Sequence, residues 1–178
     1  MRRGVGKVPG AALDYTNGGE PRRRPVNVSV PGWLKTAGTN LARTATVHAA
    51  DTEIRTSMLL NDGNGNVMDN GGRWLGRGVL PHVVEFRWDK PVTLGAARVV
   101  SGYNQGGRLV APVRDFSLQW FDGGEWKGAG ESVTGNENPG WAVKFDPVRT
   151  TRMRLVITKT KDDVSRIWEV EFYGAVGE

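Results

Sequence analysis

Short runs in which hydrophobic and polar residues alternate, separated by turn residues, make up most of the chain from about Asn40 onward. In residues 82–88, HVVEFRW, the three large hydrophobic side chains fall on one face, and Glu85 and Arg87 fall on the other. No segment keeps helical spacing over three turns. Runs of period two with one polar face are typical of antiparallel sheets packed face to face, so we predict an all-β sandwich or barrel.

Three later runs repeat this pattern, and the turns between them indicate how they connect. The runs are residues 115–121, 151–158 and 167–174, and the last places Glu169 and Glu171 on the polar face. The sequence FDGGEW predicts a hairpin because Asp-Gly-Gly readily adopts positive φ, and TGNENPGW predicts a longer loop. The side chains that we predict to point into the core are Phe116, Leu118, Trp120, Met153, Leu155, Ile157, Trp168, Val170 and Phe172.

Residues 1–38 differ from the rest of the chain in composition and charge. They contain three prolines before Val26 and the run PRRRP, so we interpret 1–38 as a linker or N-terminal extension and 39–178 as the folded domain. Within this segment only PVNVSV, residues 25–30, predicts a strand. The whole net charge of +5 lies in 1–38, because residues 39–178 hold 17 basic and 17 acidic groups. A folded domain without a basic excess does not indicate nucleic-acid binding.

The composition excludes several kinds of active site. There is no cysteine, which rules out thiol chemistry and Cys-ligated metals, and the histidines are only His48 and His82. Neither a G-x-S-x-G motif nor a phosphate-binding P-loop motif occurs. Paired carboxylates for glycoside hydrolysis stay open. No catalytic constellation is evident, so we expect a protein that is not an enzyme. We also expect no membrane span, and the start of the chain lacks the apolar stretch of a signal peptide.

Residues 59–74, LLNDGNGNVMDNGGRW, place Asn and Asp at alternate positions among glycines. Such oxygen-rich loops suit Ca²⁺, which takes six to eight oxygen ligands. The EF-hand pattern fails, because Val67 stands at the obligatory glycine and Arg73 at the bidentate glutamate. The alternative is a turn in which Asn and Asp side chains accept hydrogen bonds from the backbone. Both interpretations stay open at this point.

Two further loops carry groups that could bind a ligand. Residues 101–116 join two predicted strands and combine Tyr103, Asn104 and Arg108 with flexible glycines. Amide and guanidinium groups at a loop tip can form bidentate hydrogen bonds to hydroxyls or carboxylates. Trp141 follows NENPG, where an indole either stacks on a sugar ring or covers the edge of the sandwich.

Taken in order, several segments resemble the discoidin, or coagulation factor V/VIII type C, superfamily, and most closely bacterial family 32 carbohydrate-binding modules. The segments are NLARTATVHA, LNDGNGN, GGRW, PHVVEFRWDKPVTLGAARVV, PVRDFSLQWFDGGEWK, TGN, FDPVRTTRMRLVIT and RIWEVEFYG. The resemblance covers about Thr39 to Gly174. It implies a jelly-roll-like sandwich of about eight antiparallel strands, which agrees with the strand pattern.

The resemblance also implies one structural Ca²⁺. In the family the loop equivalent to LNDGNGN holds this ion together with a late glutamate of the final strand. Here the implied ligands are the Asp62 side chain, backbone carbonyls of Leu60 and Asn64, and the Glu169 carboxylate. Residues 65–72 replace a shorter stretch of the family, and Asn66, Asp69 and Asn70 are further candidate ligands.

For function, the resemblance implies a non-catalytic module of a larger bacterial polysaccharide-degrading enzyme, extracellular or periplasmic and monomeric. Its loops at one end of the sandwich would bind a polysaccharide or oligosaccharide. A histidine that the family carries at the first of these loops is missing, and several arginines would suit a uronic acid or sulfated sugar. The alternative is a protein- or cell-surface-adhesion domain. The implied ligand-binding residues, with the loop tryptophan added, are Arg73, Arg77, Tyr103, Asn104, Arg108, Trp141 and Arg166.

Overall fold

A computed structural model describes residues 13–14, 22–23, 28, 30–49 and 54–176. Strand β1 (Leu13–Asp14) pairs with β2 (Arg22–Arg23) in a separate two-stranded sheet. The remaining strands are β3 (Thr46–Ala49), β4 (Trp74–Gly76), β5 (His82–Ser101), β6 (Tyr103–Gln105), β7 (Arg108–Val110), β8 (Asp115–Phe121), β9 (Trp126–Gly128), β10 (Gly140–Lys159) and β11 (Ser165–Tyr173).

Helical structure in the described residues is limited to single turns. There is one α-helical turn, α1 (Ile54–Ser57). No helix in the described ranges has the length and apolar character that crossing a membrane requires. The 3₁₀ turns are Gly32–Thr36, Leu41–Thr44, Met58–Leu60, Asn70–Gly72 and Lys161–Asp163.

Two long strands, β5 and β10, each of 20 residues, belong to both layers of the sandwich. In the first layer, residues 82–87 of β5 pair with residues 152–157 of β10, flanked by β3 on one side and by β8 and β9 on the other. In the second layer, residues 92–100 pair with residues 140–150, and β11 and β4 continue the sheet from β5. The fold is therefore an all-β sandwich of antiparallel strands, as predicted.

The alternating pattern of the sequence forms the core between these layers. Phe86 of the first layer meets Phe172 of the second edge to face, with ring centroids 5.1 Å apart. Val84, Met153 and Leu155 are fully buried. Burial of such side chains is worth roughly 1.5–3 kcal/mol each. The hairpin predicted at FDGGEW is present, since Phe121 pairs with Trp126 and Gly123 adopts φ +99°.

The inward and outward positions predicted for the last strand were wrong at Trp168. A β-bulge lies between Ile167 and Glu169, and the extra residue shifts the alternation. Trp168 therefore packs on the outer side of the second layer with Val67 and Val100, apart from the main core. Glu169 does lie on the outer face as predicted, but it is 1% exposed, so it is not a solvated charge.

Residues immediately before Thr39 contact the sandwich. Leu34 is buried, the ammonium of Lys144 lies 5.5 Å from the centre of the Trp33 ring, and Val28 packs against the cluster around Trp168. The domain boundary at residue 39 stays a prediction. The strand predicted for residues 25–30 falls largely outside the described residues.

Candidate functional site

Five connecting segments meet at one end of the sandwich, which we call the loop end. The N–H of Gly102 donates to the carbonyl of Arg166 at 2.8 Å, and the N–H of Ser101 donates to the carbonyl of Pro139 at 2.8 Å. These bonds bring the end of β5 together with the starts of β10 and β11. The segments of the loop end are residues 61–73, 77–81, 102–112, 134–139 and 160–166.

Arg73 is held at the loop end by two carbonyls and one aromatic ring. Its Nε donates to the Asn70 carbonyl at 2.8 Å, and its Nη1 donates to the Gly102 carbonyl at 3.0 Å. The guanidinium carbon lies 5.4 Å from the centre of the Trp168 ring. Trp168 is itself anchored, because its indole N–H donates to the Asp69 carbonyl at 2.8 Å. The guanidinium is thus fixed before any ligand arrives.

Arg166 is held in the same manner. Its Nη1 donates to the carbonyls of Lys161 and Val164 at 3.1 and 3.0 Å. The guanidinium carbon lies 5.5 Å from the centre of the Tyr103 ring. The attraction between a cation and an aromatic face contributes about 0.5–1 kcal/mol of stabilisation at an exposed site. Three of the predicted ligand-binding residues, Arg73, Tyr103 and Arg166, therefore lie together.

The two guanidinium groups are close enough to repel each other. Burial lowers the pKa of Arg73, the positive charge of Arg166 lowers it further, and Asp69 acts in the opposite direction. Among the described residues, neither arginine forms an ion pair with a carboxylate. The loop end thus holds two neighbouring positive charges whose local repulsion a bound anion would relieve.

Asn104 also lies at the loop end, but its side chain bonds to the protein itself. Its Nδ2 donates to the Val67 carbonyl at 3.2 Å, and its Oδ1 accepts from the Gly107 N–H at 2.8 Å. These bonds close the β6–β7 hairpin and attach it to the neighbouring loop. Asn104 therefore helps to position Tyr103, while its Oδ1 keeps one lone pair for a further hydrogen bond. Its predicted role in ligand binding stays a prediction.

The other predicted ligand-binding residues are arranged differently. Arg77, after β4, and Arg108, in the β6–β7 hairpin, are exposed at the loop end. Trp141 lies within β10 opposite Val99, and its ring meets Phe116 edge to face at 4.9 Å. The Trp141 indole packs against the core, the second of the two alternatives that the sequence left open for it.

The loop of residues 61–73 is a succession of Asn and Asp turns. The backbone N–H groups of Asn64, Asn66 and Met68 donate to the side-chain oxygens two residues earlier, at 2.7–3.3 Å. Gly71 donates to Asp69 in the same way at 2.7 Å. The turn interpretation of this segment is therefore confirmed. Each of these side-chain oxygens keeps a lone pair, so the turns do not preclude metal binding.

Glu169 lies under this loop and is the strongest feature of the predicted calcium site. Its carboxylate accepts the Gly63 N–H at 3.2 and 3.3 Å. Burial raises the pKa of Glu169 to about 8, and the negative charges of Asp62 and Glu171 act in the same direction. A buried carboxylate beside further negative charge is an environment that a cation would stabilise.

The predicted donor set for calcium consists of oxygen atoms only. No group of three or more His, Cys, Asp or Glu side chains occurs among the residues that the structure describes. The predicted set combines the carboxylates of Asp62 and Glu169 with backbone carbonyls of Leu60 and Asn64. Carboxylate and carbonyl oxygens are the ligands of hard cations such as Ca²⁺.

Sequence reasoning missed a buried histidine–serine pair. The Nδ1 atom of His82 lies 2.9 Å from the Ser165 hydroxyl oxygen, and its Nε2 lies 3.4 Å from the Gly78 carbonyl. Ser165 has no exposed surface, so this hydroxyl is closed to a substrate. The pair joins the 77–81 loop to the start of β11. No sequence motif could have revealed it, because the pairing depends on register between residues 83 positions apart.

Comparison with known proteins identifies the fold. No family model matches the chain, and no curated protein matches it. Among solved structures, the family 32 carbohydrate-binding module of Streptococcus pneumoniae EndoD is 22% identical with a TM-score of 0.61, and 76% of this chain and 99% of that module are covered. The chain has the fold of a family 32 carbohydrate-binding module.

Other solved structures with this fold were determined with sugars bound. CpGH89CBM32-5 from Clostridium perfringens, in complex with GalNAc-β-1,3-galactose, is 12% identical with a TM-score of 0.62, covering 76% of this chain and 100% of that one. Chitosan-binding module 2 from a Paenibacillus sp. IK-5 chitosanase/glucanase, in complex with chitotriose, is 18% identical with a TM-score of 0.60, covering 76% of this chain and 100% of that one.

The chain spans only part of another similar structure. It covers 28% of the length of SpGH29, with a TM-score of 0.59 and 18% identity.

Proposed function

We propose that this chain is a non-catalytic module that binds an anionic glycan at the loop end. The single observation that supports the proposal most strongly is the arrangement of Arg73 and Arg166. Each guanidinium lies over an aromatic ring, and among the described residues neither has a carboxylate partner. The similarity of the fold to sugar-binding modules supports the glycan class.

The charge of the site selects the kind of sugar. A planar guanidinium binds a carboxylate or sulfate with two parallel hydrogen bonds, which a hydroxyl does not require. The carbonyl contacts use Nε and Nη1 of Arg73 and Nη1 of Arg166. Among the described residues, the Nη2 group of each guanidinium has no protein acceptor and is left for a ligand. A uronic acid or sulfated sugar is therefore the preferred ligand, and a cationic sugar such as glucosamine would be repelled.

A structural calcium ion forms part of the proposal. Asp62 and Glu169 would supply carboxylate oxygens, and Leu60 and Asn64 would supply carbonyl oxygens. The ion would neutralise the buried charge of Glu169 and tie the 61–73 loop to β11. Calcium should then raise the melting temperature of the wild type above that measured with a chelator, whereas Glu169→Ala should show a much smaller difference.

Binding of the anionic ligand trigalacturonate can be measured by calorimetry. Its fully methyl-esterified form is the uncharged control ligand, and chitotriose is the cationic control ligand. Dissociation constants in the millimolar to micromolar range, about −4 to −8 kcal/mol, are expected for a shallow single site. Arg73→Gln and Arg166→Gln should each weaken binding of trigalacturonate by about tenfold or more, since a hydrogen bond to a charged group contributes roughly 1.5–3 kcal/mol.

Arg149→Gln is the matched control, because Arg149 is an exposed arginine of β10 paired with Thr93 in the second layer, away from the loop-end arginines. It removes the same charge and should leave trigalacturonate affinity unchanged. Equal affinity for the acid and its methyl ester would refute the anionic specificity. Absence of binding to every acidic and neutral glycan of an array would refute the glycan function altogether.

The second candidate function is adhesion to a protein or cell surface through the same loops. The observation that favours it is Val79, which is 90% exposed on the 77–81 loop of the loop end. A partner captured through this residue should survive competition by trigalacturonate and be lost in Val79→Asp. Arg73→Gln separates the two functions, since it should weaken glycan binding by about tenfold or more and leave adhesion intact.

A further inference from the structure

The outer face of the first layer carries a second group of arginines, outside the loop end. Met153 and Leu155 point into the core, so Arg152 and Arg154 point outward from the same strand. Arg87 projects from the neighbouring part of β5, opposite Arg152. We call this surface the arginine face; it comprises Glu85, Arg87, Gln119, Phe121, Trp126, Arg152 and Arg154.

Two aromatic rings hold the guanidinium groups of this face. The guanidinium carbon of Arg154 lies 4.2 Å from the centre of the Trp126 ring. That of Arg152 lies 5.1 Å from the same ring and 4.7 Å from the Phe121 ring. Trp126 thus stacks with two cations. The Trp126 ring is therefore already in contact with guanidinium groups. The groups of this face that a partner can contact are the N–H donors of the arginines.

Each of the two arginines is also held through its Nε atom. The Nε of Arg152 donates to the Glu85 carboxylate at 2.6 Å, and the Nε of Arg154 donates to the Gln119 side-chain oxygen at 2.7 Å. Among the described residues, the terminal amino groups of both guanidiniums have no protein acceptor. One third of the Arg152 side chain is exposed. The face therefore presents oriented N–H donors that a ligand can reach.

The face is short of negative charge. Glu85 is its single carboxylate, and the same oxygen of Glu85 accepts from both Arg87 and Arg152, at 2.7 and 2.6 Å. Three cations therefore share one anion. Burial lowers the pKa of Arg154, the nearby Arg152 acts in the same direction, and Glu85 opposes it. An incoming carboxylate or sulfate would relieve this repulsion.

We infer that the arginine face is a second binding site, which takes anionic groups of one extended acidic polysaccharide chain. Arg152 and Arg154 are two residues apart on one strand, so their side chains arise about 7 Å apart and can engage successive charged groups. A guanidinium edge accepts a carboxylate or a sulfate bidentately. The face and the loop end together would let one long chain bind the module at two places.

The chemistry of the face favours a polysaccharide over other polyanions. A specific protein interface needs an apolar centre, whereas the aromatic rings here are covered by guanidinium groups. Proteins that bind single-stranded nucleic acid stack bases on open aromatic rings, and Trp126 offers none. The balance of 17 basic and 17 acidic groups in residues 39–178 also gives no broad basic surface for a nucleic-acid backbone.

The test uses affinity electrophoresis in gels containing long polygalacturonate, with the full chain in an Arg73→Gln/Arg166→Gln background that removes the loop-end arginines. This double variant should still be retarded, and added salt should reduce the retardation. Adding Arg154→Gln, which leaves the Glu85 pairs intact, should weaken the remaining binding about tenfold. Arg149→Gln in the same background is the charge-matched control and should change nothing. Melting temperatures verify that each variant is folded.

The outcomes separate this inference from the proposed function. If the loop-end double variant binds no polygalacturonate and Arg154→Gln alone binds like the wild type, the arginine face is not a site, and the loop-end function stands. If the wild type fails to bind trigalacturonate but Arg154-dependent binding of the polymer persists, the loop-end function fails and the arginine face stands. Binding of oligothymidylate that equals that of polygalacturonate and depends on Arg154 would overturn the polysaccharide class.

Discussion

Asn70 pairs with the backbone of Asn104 as a strand neighbour would. Its Oδ1 accepts the Asn104 N–H at 2.9 Å, and its Nδ2 donates to the Asn104 carbonyl at 2.9 Å. These two bonds connect the 61–73 loop to the β6–β7 hairpin that carries Tyr103 and supports Arg166. The loop that covers Glu169 and the hairpin of the proposed glycan site are therefore one hydrogen-bonded unit.

Asn70→Ala should loosen this unit. Loss of two hydrogen bonds should lower the free energy of unfolding by about 1–2 kcal/mol, and trigalacturonate affinity should fall because the hairpin is less ordered. Chemical denaturation and calorimetry measure the two effects. Asn66→Ala is the control, since among the described residues the Asn66 side chain accepts the Met68 N–H of the same loop and makes no bond to the hairpin. Affinity that is equal in both variants would refute the coupling.

Arg166→Lys should weaken glycan binding although it keeps the charge. The guanidinium of Arg166 donates to two carbonyls while it lies over Tyr103, and a lysine ammonium cannot reproduce this planar geometry. We expect a loss of about tenfold in trigalacturonate affinity by calorimetry. Arg149→Lys should have no effect. Full affinity in Arg166→Lys would mean that charge alone, without the fixed orientation, determines binding.

Stability of the metal-free protein should decrease as pH rises from about 5 to 8. The folded pKa of Glu169 is about 8, above the ordinary value of 4.5, so the folded state holds a proton that the unfolded chain releases in this window. The contribution is fully present below pH 4.5 and is lost as pH passes 8. Glu169→Gln should flatten this part of the profile. Thermal unfolding in a chelator measures it, and identical slopes in both proteins would contradict the assignment.

Gly102→Ala should destabilise the loop end more than Gly123→Ala destabilises its hairpin. Both glycines have positive φ, +116° and +99°. A Cβ at Gly102 would lie 2.5 Å from the Val110 carbonyl oxygen. Apart from its own chain neighbours, a Cβ at Gly123 would have no atom of the described residues within 4 Å. Gly123→Ala therefore measures backbone strain alone, about 1–2 kcal/mol. Gly102→Ala adds a backbone collision, so it should cost more in denaturant unfolding and also reduce trigalacturonate affinity.

Alternation of hydrophobic and polar residues was sufficient to predict the strands and most of the core. Period two follows from the geometry of any strand, so Val84, Met153 and Leu155 could be placed inward without knowledge of their partners. The glycine-rich oxygen loop and the arginines of the connecting segments were also visible as residue types. Their surroundings were not, because burial and ion pairing depend on which segments meet.

Tertiary structure alone decided what those residues contact. The bulge before Glu169 turned Trp168 to the outer side of the sheet, where its ring supports Arg73. Strand register brought His82 to Ser165, and the fold of the loops brought Arg166 beside Arg73. Local patterns along a chain specify which face a side chain takes, whereas contacts between residues 80 or more positions apart depend on registers and bends that only the packed sheets determine.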